Sequence, residues 1–231
     1  MTKILCTVCA RGGSVEIKNK NLMKLLGKPL IIHTLIAAKQ SRIFDNIVVS
    51  SDSKKILDIA KKKSDFVIKR PNQISNGTAS KISAIKHALK ESENYFEKKF
   101  DIIMDLDVTS PLRNISDIIN AKKQFIKNKN ANLISICESD KNPYFNMIEK
   151  IKNKVKIVKG HSRKVFSRQK APKVFDINAS IYIWSRKKLL NAKKVVYSDT
   201  GLYLMPRSRS IDIDNLNDYK LVKYYMKNKK I

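Results

Sequence analysis

The chain of 231 residues lacks the segments that mark membrane and secreted proteins. No apolar stretch reaches the roughly 18 uninterrupted residues that a membrane-spanning helix needs. The first segment, MTKILCTVCA, has neither the long apolar region nor the small-residue cleavage site of a signal peptide. These absences predict a cytoplasmic protein that has no membrane partner.

Cysteine is scarce, since Cys6, Cys9 and Cys137 are the three in the chain. Cys6 and Cys9 have the spacing of a redox or zinc pair, but no second pair accompanies them. They alternate within an apolar, strand-like segment, and this position favours packed thiols. The cysteines therefore predict neither a disulfide framework nor a zinc site.

Acidic residues are also few, and the excess of Lys and Arg gives the chain a net charge of +28. A strongly basic protein attracts nucleic acid and anionic surfaces. The lysines, however, are spread along the whole chain, and aromatic residues make up only 7% of it, without an aromatic-interleaved basic motif. This pattern is typical of a solvated lysine coat. We expect no specific nucleic-acid partner, and a basic nucleic-acid-binding protein is the alternative from outside the enzyme class.

Strand-like and helix-like segments alternate up to about residue 138. The predicted strands are KILCTVCA, NIVVSSD, DFVIKRP and FDIIMDLD, and amphipathic segments such as PLIIHTLIAAKQ and SKISAIKHALKESENYF lie between them. This alternation predicts an α/β fold with a mostly parallel sheet and helices on both faces. The length allows one domain over residues 1–231.

The rhythm changes after that point. Short segments, KVKIVK, DINASIYIW and KVVYS, predict an antiparallel excursion before a last strand and the helix NLNDYKLVKYYMKN. We therefore predict a small inserted subdomain at about residues 140–175.

Polar loops follow several predicted strands, at the edge where open α/β sheets bind ligands. Arg11-Gly12-Gly13-Ser14 follows the first strand, and Lys20-Asn21 comes soon after. Glycines let the backbone approach phosphate oxygens, and Arg and Lys supply compensating charge. A plain glycine turn with solvated lysines is the alternative.

Further candidate residues stand in three later segments. Arg70-Pro71 precedes Thr78-Ala79-Ser80, where Ser80 is either a nucleotide contact or a helix cap. Asp105 and Asp107 fall on the same side of a strand and suit magnesium, with a helix cap or a salt bridge to Arg113 as the alternative. In SIDID, Asp212 and Asp214 share one face of a predicted strand and can meet Asp107 across a phosphate site.

Nine short motifs occur in a fixed order along the chain: ARGGS, KNKN, GKPLI, FDNIVVSSDS, KRP, TASKI, DVTSPLR, NASIY and SIDID. In these motifs, which span nearly the whole chain, the protein resembles the sugar-acid cytidylyltransferases, in particular the acylneuraminate group. The motif sequences DLDVTSPLR and NASIY are similar to those of legionaminate-type members. The resemblance implies a three-layer α/β/α nucleotide-diphospho-sugar transferase-like, Rossmann-like fold and a homodimer whose inserted segment serves dimerisation and the sugar pocket.

The resemblance also implies a reaction and its cofactor. CTP and a nine-carbon, sialic-acid-like (nonulosonic) sugar acid would give a CMP-sugar and pyrophosphate for surface glycan biosynthesis, with Mg²⁺ or Mn²⁺. Pseudaminate or 3-deoxy-manno-octulosonate is the alternative sugar acid.

The roles implied by the resemblance fall on the motif residues. The CTP-binding set is Arg11, Gly12, Gly13, Ser14, Lys20, Asn21, Arg70, Ser80 and Asp107. The sugar-binding set is Thr109, Ser110, Arg168, Gln169, Asn178 and Ala179. The metal-binding set is Asp212, Asp214 and Asp107. The catalytic set is Arg11, Lys20, Asp212 and Asp214.

The chain departs from the family pattern at three places. Where the family usually has Ser-Lys-Gly, this chain has Ser14-Val15-Glu16, so a phosphate-facing lysine is missing and an acid is added. An unpaired carboxylate near a triphosphate is repulsive, unless Lys18 or Lys20 offsets it or Glu16 faces solvent. Lys81 stands where the family commonly has a second hydroxyl, and Asp107 stands where neuraminate enzymes often have Gln.

Overall fold

The computed structural model describes residues 2–13, 16–75, 80–160 and 168–228. The strands are β1 (Ile4–Cys9), β2 (Lys24–Leu25), β3 (Lys28–Pro29), β4 (Asn46–Ser51), β5 (Phe66–Lys69), β6 (Ile102–Leu106), β7 (Asn132–Glu138), β8 (Ile148–Ile151), β9 (Lys154–Ile157), β10 (Phe175–Ser185) and β11 (Gly201–Leu204). The helices are α1 (Leu30–Ser41), α2 (Lys54–Ala60), α3 (Lys81–Tyr95), α4 (Ile115–Lys127), α5 (Arg186–Asn191) and α6 (Leu216–Lys227). No helix in these ranges is long and apolar enough to cross a membrane.

Seven of the strands form one sheet in the order β11-β7-β10-β6-β1-β4-β5. Every neighbouring pair is parallel except those that include β10, which runs antiparallel to both β6 and β7. The predicted mostly parallel sheet is therefore confirmed.

Helices cover both faces of this sheet, and each face has its own apolar core. In the central strand β1, Ile4, Cys6 and Val8 pack into one core, while Leu5 packs into the other. Residues of α1, α2, α4 and α6 complete the first core, and residues of α3 and α5 complete the second. A strand buried on both faces needs a continuous apolar sequence, and ILCTVC supplies it. The predicted three-layer α/β/α architecture is confirmed.

Side-chain caps fix where the main helices begin. The Ser80 hydroxyl accepts the N–H of Ser83 at the start of α3. Asn114 caps α4 and Asn215 caps α6, each in a reciprocal capping box. The caps therefore define the lengths of the loops that precede these helices.

Two predicted strands were wrong. In KVVYS, the Val195 carbonyl accepts a hydrogen bond from the Asn132 side chain, and the Tyr197 hydroxyl accepts the N–H groups of Lys193 and Lys194. One distant side chain and one local side chain thus satisfy backbone groups of the segment, which does not form a strand, and β11 begins only at Gly201. SIDID is not a strand either, although its Ile213 N–H bonds to the Thr109 carbonyl at 2.9 Å.

A separate antiparallel hairpin, β8–β9, lies in the chain between β7 and β10. Its register pairs Ile148 with Ile157 and Lys150 with Val155, so one face carries the apolar side chains of Ile148, Val155 and Ile157 together with Lys150. Ile148 is 67% exposed and Val155 is 61% exposed. The hairpin thus presents apolar side chains to solvent within the segment for which we predicted an insertion.

Candidate active site

The topology places a crevice between β1 and β6. From β1 the chain adds β4 and β5 on one side, and α3 then returns it to β6 on the other side. Ligands of open α/β sheets bind at such a reversal, beyond the carboxyl ends of the strands. The loops after β1 and β6 and the start of α3 meet there.

Hydrogen bonds to Asp52 and from Asn21 hold the start of the loop after β1. The Gly12 N–H donates to Asp52 Oδ1 at 2.8 Å, and Asn21 Nδ2 donates to the Arg11 carbonyl at 2.8 Å. A Cβ at Gly12 would lie 2.8 Å from the Cβ of Ser53, so a side chain does not fit there. At Gly13, by contrast, a Cβ would meet no atom within 4 Å. The close approach of two loops therefore requires glycine at position 12.

Two charged residues of this loop face outward. Arg11 and Glu16 are exposed, so the carboxylate of Glu16 faces solvent. Ser14 and Val15 lie outside the described residues.

Arg70 approaches the same loop from β5. Its buried guanidinium has Nη2 at 3.8 Å from Asp52 Oδ1, and its Nε donates to the Ser75 hydroxyl at 3.2 Å. Asp52 therefore links Arg70 to Gly12. The sequence reasoning gave Asp52 no role, although it belongs to the FDNIVVSSDS motif. Thr78 and Ala79 lie outside the described residues, and Ser80 is exposed and caps α3.

The SIDID acids lie on the other side of the crevice. Lys20 Nζ is 3.1 Å from Asp214 Oδ1, which ties the first loop to this segment across 194 positions of sequence. Asp214 is 66% exposed. Asp212 is partly buried, and its Oδ1 is a buried atom with no hydrogen-bond partner. Burial and the negative charges of Asp107 and Asp214 raise the pKa of Asp212 to about 6.

An unpartnered buried carboxylate oxygen fits a divalent cation. Within the described residues, no three His, Cys, Asp or Glu side chains form a metal-binding cluster. The described side chains would therefore supply only part of a coordination sphere. Mg²⁺ suits such a site because it keeps several waters and binds substrate phosphates.

The carboxylates at the end of β6, Asp105 within the strand and Asp107 just after it, contact a cation. Lys81 Nζ forms a very short ion pair with Asp107 Oδ2 and lies 3.2 Å from Asp105 Oδ2. The Thr7 hydroxyl donates to Asp105 Oδ1 at 2.6 Å, and the Thr109 hydroxyl donates to Asp107 Oδ1 at 3.1 Å. Asp105 and Asp107 thus point to the same side at the end of β6, as predicted.

These contacts keep Lys81 and Asp107 charged, whereas at Asp105 burial outweighs the charge of Lys81 and the hydrogen bond from Thr7 and raises the pKa. Burial alone would raise the pKa of Asp107, but the charge of Lys81 and the hydrogen bonds from Lys81 and Thr109 hold it below its usual value. Burial would lower the pKa of Lys81, but the charges of Asp107 and Asp105 outweigh burial and raise it. The ion pair between Lys81 and Asp107 is therefore charged at neutral pH.

Arg113 stabilises the loop after β6 through its backbone. Its Nη1 donates to the Ser180 carbonyl at 2.7 Å, and both Nη atoms donate to the Asp107 carbonyl at 3.3 Å. The alternative of a salt bridge to the Asp107 carboxylate was wrong, because Lys81 holds that group. Burial lowers the pKa of Arg113 to about 10.

Four of the predicted sugar-pocket residues lie together. Thr109 and Ser110 follow β6, and the Ser110 hydroxyl donates to the Asn178 carbonyl at 3.2 Å. Asn178 Oδ1 accepts from the Ser135 hydroxyl at 2.6 Å, so the amide is engaged inside the protein. Ala179 has a left-handed φ of 52° at an irregularity of β10.

Two other predicted sugar contacts lie in a short 3-10 turn, Arg168–Lys170. Gln169 is exposed there, and the side chain of Arg168 lies outside the described part of the chain. The sequence reasoning missed the supporting roles of Thr7 and Ser135, which no motif signals.

Known proteins resemble this chain over its whole length. Residues 5–228 match the family model described as Cytidylyltransferase. The chain is 44% identical to post-translational flagellin modification protein B of Campylobacter coli, over 100% of this chain and 98% of that protein. It is 40% identical to CMP-N,N'-diacetyllegionaminic acid synthase of Campylobacter jejuni subsp. jejuni serotype O:2, over 97% of this chain and 95% of that protein.

A more distant relative and a solved structure extend the comparison. Pseudaminic acid cytidylyltransferase of Campylobacter jejuni subsp. jejuni serotype O:23/36 is 30% identical, over 97% of each chain. The structure of CMP:2-keto-3-deoxy-manno-octonic acid synthetase complexed with CTP superimposes with a TM-score of 0.72 over 99% of this chain and 100% of that chain, at 14% identity, and so shares the fold. The resemblance inferred from the motifs is confirmed, and the chain belongs to the cytidylyltransferase family.

Proposed function

We propose that the protein transfers the cytidylyl group of CTP to a legionaminate-type nonulosonic acid and releases pyrophosphate, in the biosynthesis of a surface glycan. The observation that carries cytidylyl transfer is the crevice between β1 and β6, where the Gly12 loop and the Lys20–Asp214 pair meet beside the unpartnered oxygen of Asp212. The preference for legionaminate rests on 40% identity to a legionaminate enzyme against 30% to a pseudaminate enzyme.

The residues of the crevice would align CTP and compensate its charge. In the proposed reaction the anomeric hydroxyl of the sugar acid attacks the α-phosphorus, the bond to the bridging oxygen breaks, and pyrophosphate leaves as the hydroxyl loses its proton. Such a transfer depends on alignment and on neutralised charge more than on a nucleophilic side chain. We assign Arg11 and Lys20 to the phosphates and the backbone of Gly12 and Gly13 to their close approach.

The proposed cofactor is Mg²⁺ or Mn²⁺, held by Asp212 and Asp214. When bound, such an ion offsets charge on the transferring phosphoryl group. The unpartnered Oδ1 of Asp212 and the exposed carboxylate of Asp214 support this assignment.

We further propose a homodimer that pairs through the β8–β9 hairpin. Isolated two-stranded hairpins are marginally stable in water, and a partner that covers their apolar face stabilises them. The exposed Ile148 and Val155 on one face of this hairpin support the proposal. A cytoplasmic location is supported by Cys6, Cys9 and Cys137, which are free thiols of the kind that reducing compartments maintain.

A panel of sugar acids tests the proposed substrate. CTP and magnesium are combined with N,N'-diacetyllegionaminate, pseudaminate, N-acetylneuraminate or 3-deoxy-manno-octulosonate, and pyrophosphate release is measured. The proposal predicts the highest kcat/KM with the legionaminate. A higher value with pseudaminate would replace this substrate assignment with the alternative.

A further inference from the structure

Lys81 occupies the space between two carboxylates at the end of β6, Asp105 and Asp107. Its Nζ contacts Asp107 Oδ2 and lies 3.2 Å from Asp105 Oδ2, and the ring of Tyr182 lies 4.3 Å from it. Asp105 is fully buried, and a buried carboxylate is strongly unfavourable unless it is paired. Lys81 is the cation that the structure places on both acids.

The fold fixes this lysine in position. Lys81 is the first residue of α3, whose start is set by the Ser80 cap. The next turns of α3 are anchored in the second core by Ile82 and Ile85. The start of α3 therefore holds the ammonium group close to the end of β6, and the Lys81 side chain is only 24% exposed.

Asp107 is in direct contact with an ammonium group, and among the described residues Asp212 has no such contact. Both oxygens of Asp107 are engaged, Oδ2 by Lys81 and Oδ1 by Thr109, whereas Oδ1 of Asp212 is buried without a partner. A divalent ion at Asp107 would have to share its carboxylate with an ammonium group of like charge. Asp214 also has an ammonium partner, Lys20, but the Asp214 side chain is 66% exposed against 22% for Asp107, so solvent screens that pair far more strongly.

We propose that Lys81 is a built-in cation for the Asp105–Asp107 pair, which excludes a divalent ion from Asp107 and leaves that ion to Asp212 and Asp214. Lys81 is then a positioning residue. It holds Asp107, whose carboxylate binds the N–H and hydroxyl of Thr109, and the Thr109 carbonyl in turn holds the Ile213 N–H beside Asp212. The part of the inference that concerns turnover rests on the proposed function, but the ion-binding part is tested on the protein without substrate.

Binding of Mn²⁺ to the nucleotide-free protein separates the two acids. Free Mn²⁺ is measured by electron paramagnetic resonance during titration of the wild-type protein and of Asp107→Asn and Asp212→Asn. The inference predicts that Asp212→Asn weakens binding about tenfold or more, because a ligand is lost. Asp107→Asn should change the dissociation constant by less than about twofold, because that carboxylate is already paired. Equal weakening by the two substitutions would overturn the inference.

Removal of the ammonium group provides the converse test. Lys81→Met keeps the length of the side chain and frees the Asp105–Asp107 pair, so this variant should bind Mn²⁺ about tenfold more tightly than the wild type or at an added site. Lys81→Arg should behave as the wild type, and the double variant Lys81→Met/Asp107→Asn should lose the gain. A folded Lys81→Met variant with wild-type Mn²⁺ binding would overturn the inference.

Each outcome that would leave one measurement without an answer is decided by another measurement. If Lys81→Met does not fold, as circular dichroism would show, the comparison of Asp107→Asn with Asp212→Asn decides. If the wild type binds no Mn²⁺ without nucleotide, the gain in Lys81→Met decides. Predicted Mn²⁺ binding together with no turnover on any sugar acid would reject the proposed function and leave the role of Lys81 intact.

Discussion

At the scale of single residues, Gly12 and Gly13 look alike in sequence and differ in structure. A Cβ at position 12 would lie 2.8 Å from the Cβ of Ser53, whereas at position 13 it would meet nothing within 4 Å. We expect Gly12→Ala to lower the free energy of unfolding by about 1–3 kcal/mol, because an added methyl group overpacks the contact. Urea denaturation measures the change. Gly13→Ala is the matched control, and an equal effect of the two substitutions would contradict the account.

Asp212 gives a prediction about pH. Its pKa rises from 3.8 to about 6 in the folded protein, so the folded state holds a proton that the unfolded chain releases between these values. Its contribution to stability is therefore greatest below pH 3.8 and is lost as the pH rises through about 6. Asn does not titrate, so Asp212→Asn should gain about 1–3 kcal/mol relative to the wild type between pH 4 and pH 7.5.

Thermal unfolding in a metal chelator, at several pH values, measures this difference. Asp214 is 66% exposed, so Asp214→Asn serves as the control and should show a smaller dependence on pH. A difference in Tm between Asp212→Asn and the wild type that is constant with pH would show that the folded protein does not raise this pKa.

The sequence identified the residues of the crevice better than it identified their partners. ARGGS, KRP and SIDID point to Gly12, Arg70 and Asp214, because glycine, arginine and aspartate have recognisable roles at strand ends. Their partners, Asp52 and Lys81, stand in other motifs, FDNIVVSSDS and TASKI, and the sequence does not show that the fold brings these motifs together. Alternation in β6 placed Asp105 and Asp107 on one side, but it does not show which cation lies between them.

At the scale of elements, the sequence correctly predicts the strands of the β–α repeat. It predicts strands wrongly where side chains, instead of a neighbouring strand, form hydrogen bonds with the backbone. Central strands such as β1 and β6 are continuous apolar runs, which local pattern alone reveals. KVVYS has an equally strand-like composition, but Asn132 and Tyr197 satisfy its backbone. SIDID lies between a 3-10 turn and the Asn215 cap, and Thr109 provides its main-chain partner.

The β8–β9 hairpin carries a prediction at this scale. Ile148 and Val155 share its exposed apolar face, so Ile148→Glu/Val155→Glu should convert the proposed homodimer to a monomer without loss of the main fold. Charged groups at the centre of an apolar interface are strongly unfavourable. Analytical ultracentrifugation measures the mass, and circular dichroism checks the fold.

Lys156→Ala is the control for this experiment. Lys156 pairs with Glu149 on the other face of the hairpin and is 62% exposed, so its loss should leave the mass unchanged. A wild-type protein that sediments as a monomer at assay concentrations would refute the proposed dimer.

At the scale of the whole molecule, the net charge of +28 contributes nothing to recognition of the family, whereas nine ordered motifs and a sheet with one reversal point identify it. Composition describes the surface of the protein, and the order of motifs along a β–α repeat describes which loops meet. Neither composition nor the order of the motifs identifies the specific sugar acid. That choice depends on how the side chains of one pocket contact the substituents of the sugar.

The most direct test of the central claim is phosphorus NMR of the complete reaction with CTP, magnesium and a legionaminate-type acid. The account predicts that the phosphodiester of a CMP-sugar and pyrophosphate appear together in equal amounts, that neither forms without the sugar acid, and that Asp212→Asn and Asp214→Asn each abolish both signals. Equal turnover with UTP or ATP in place of CTP, or wild-type rates in both variants at limiting magnesium, would contradict it.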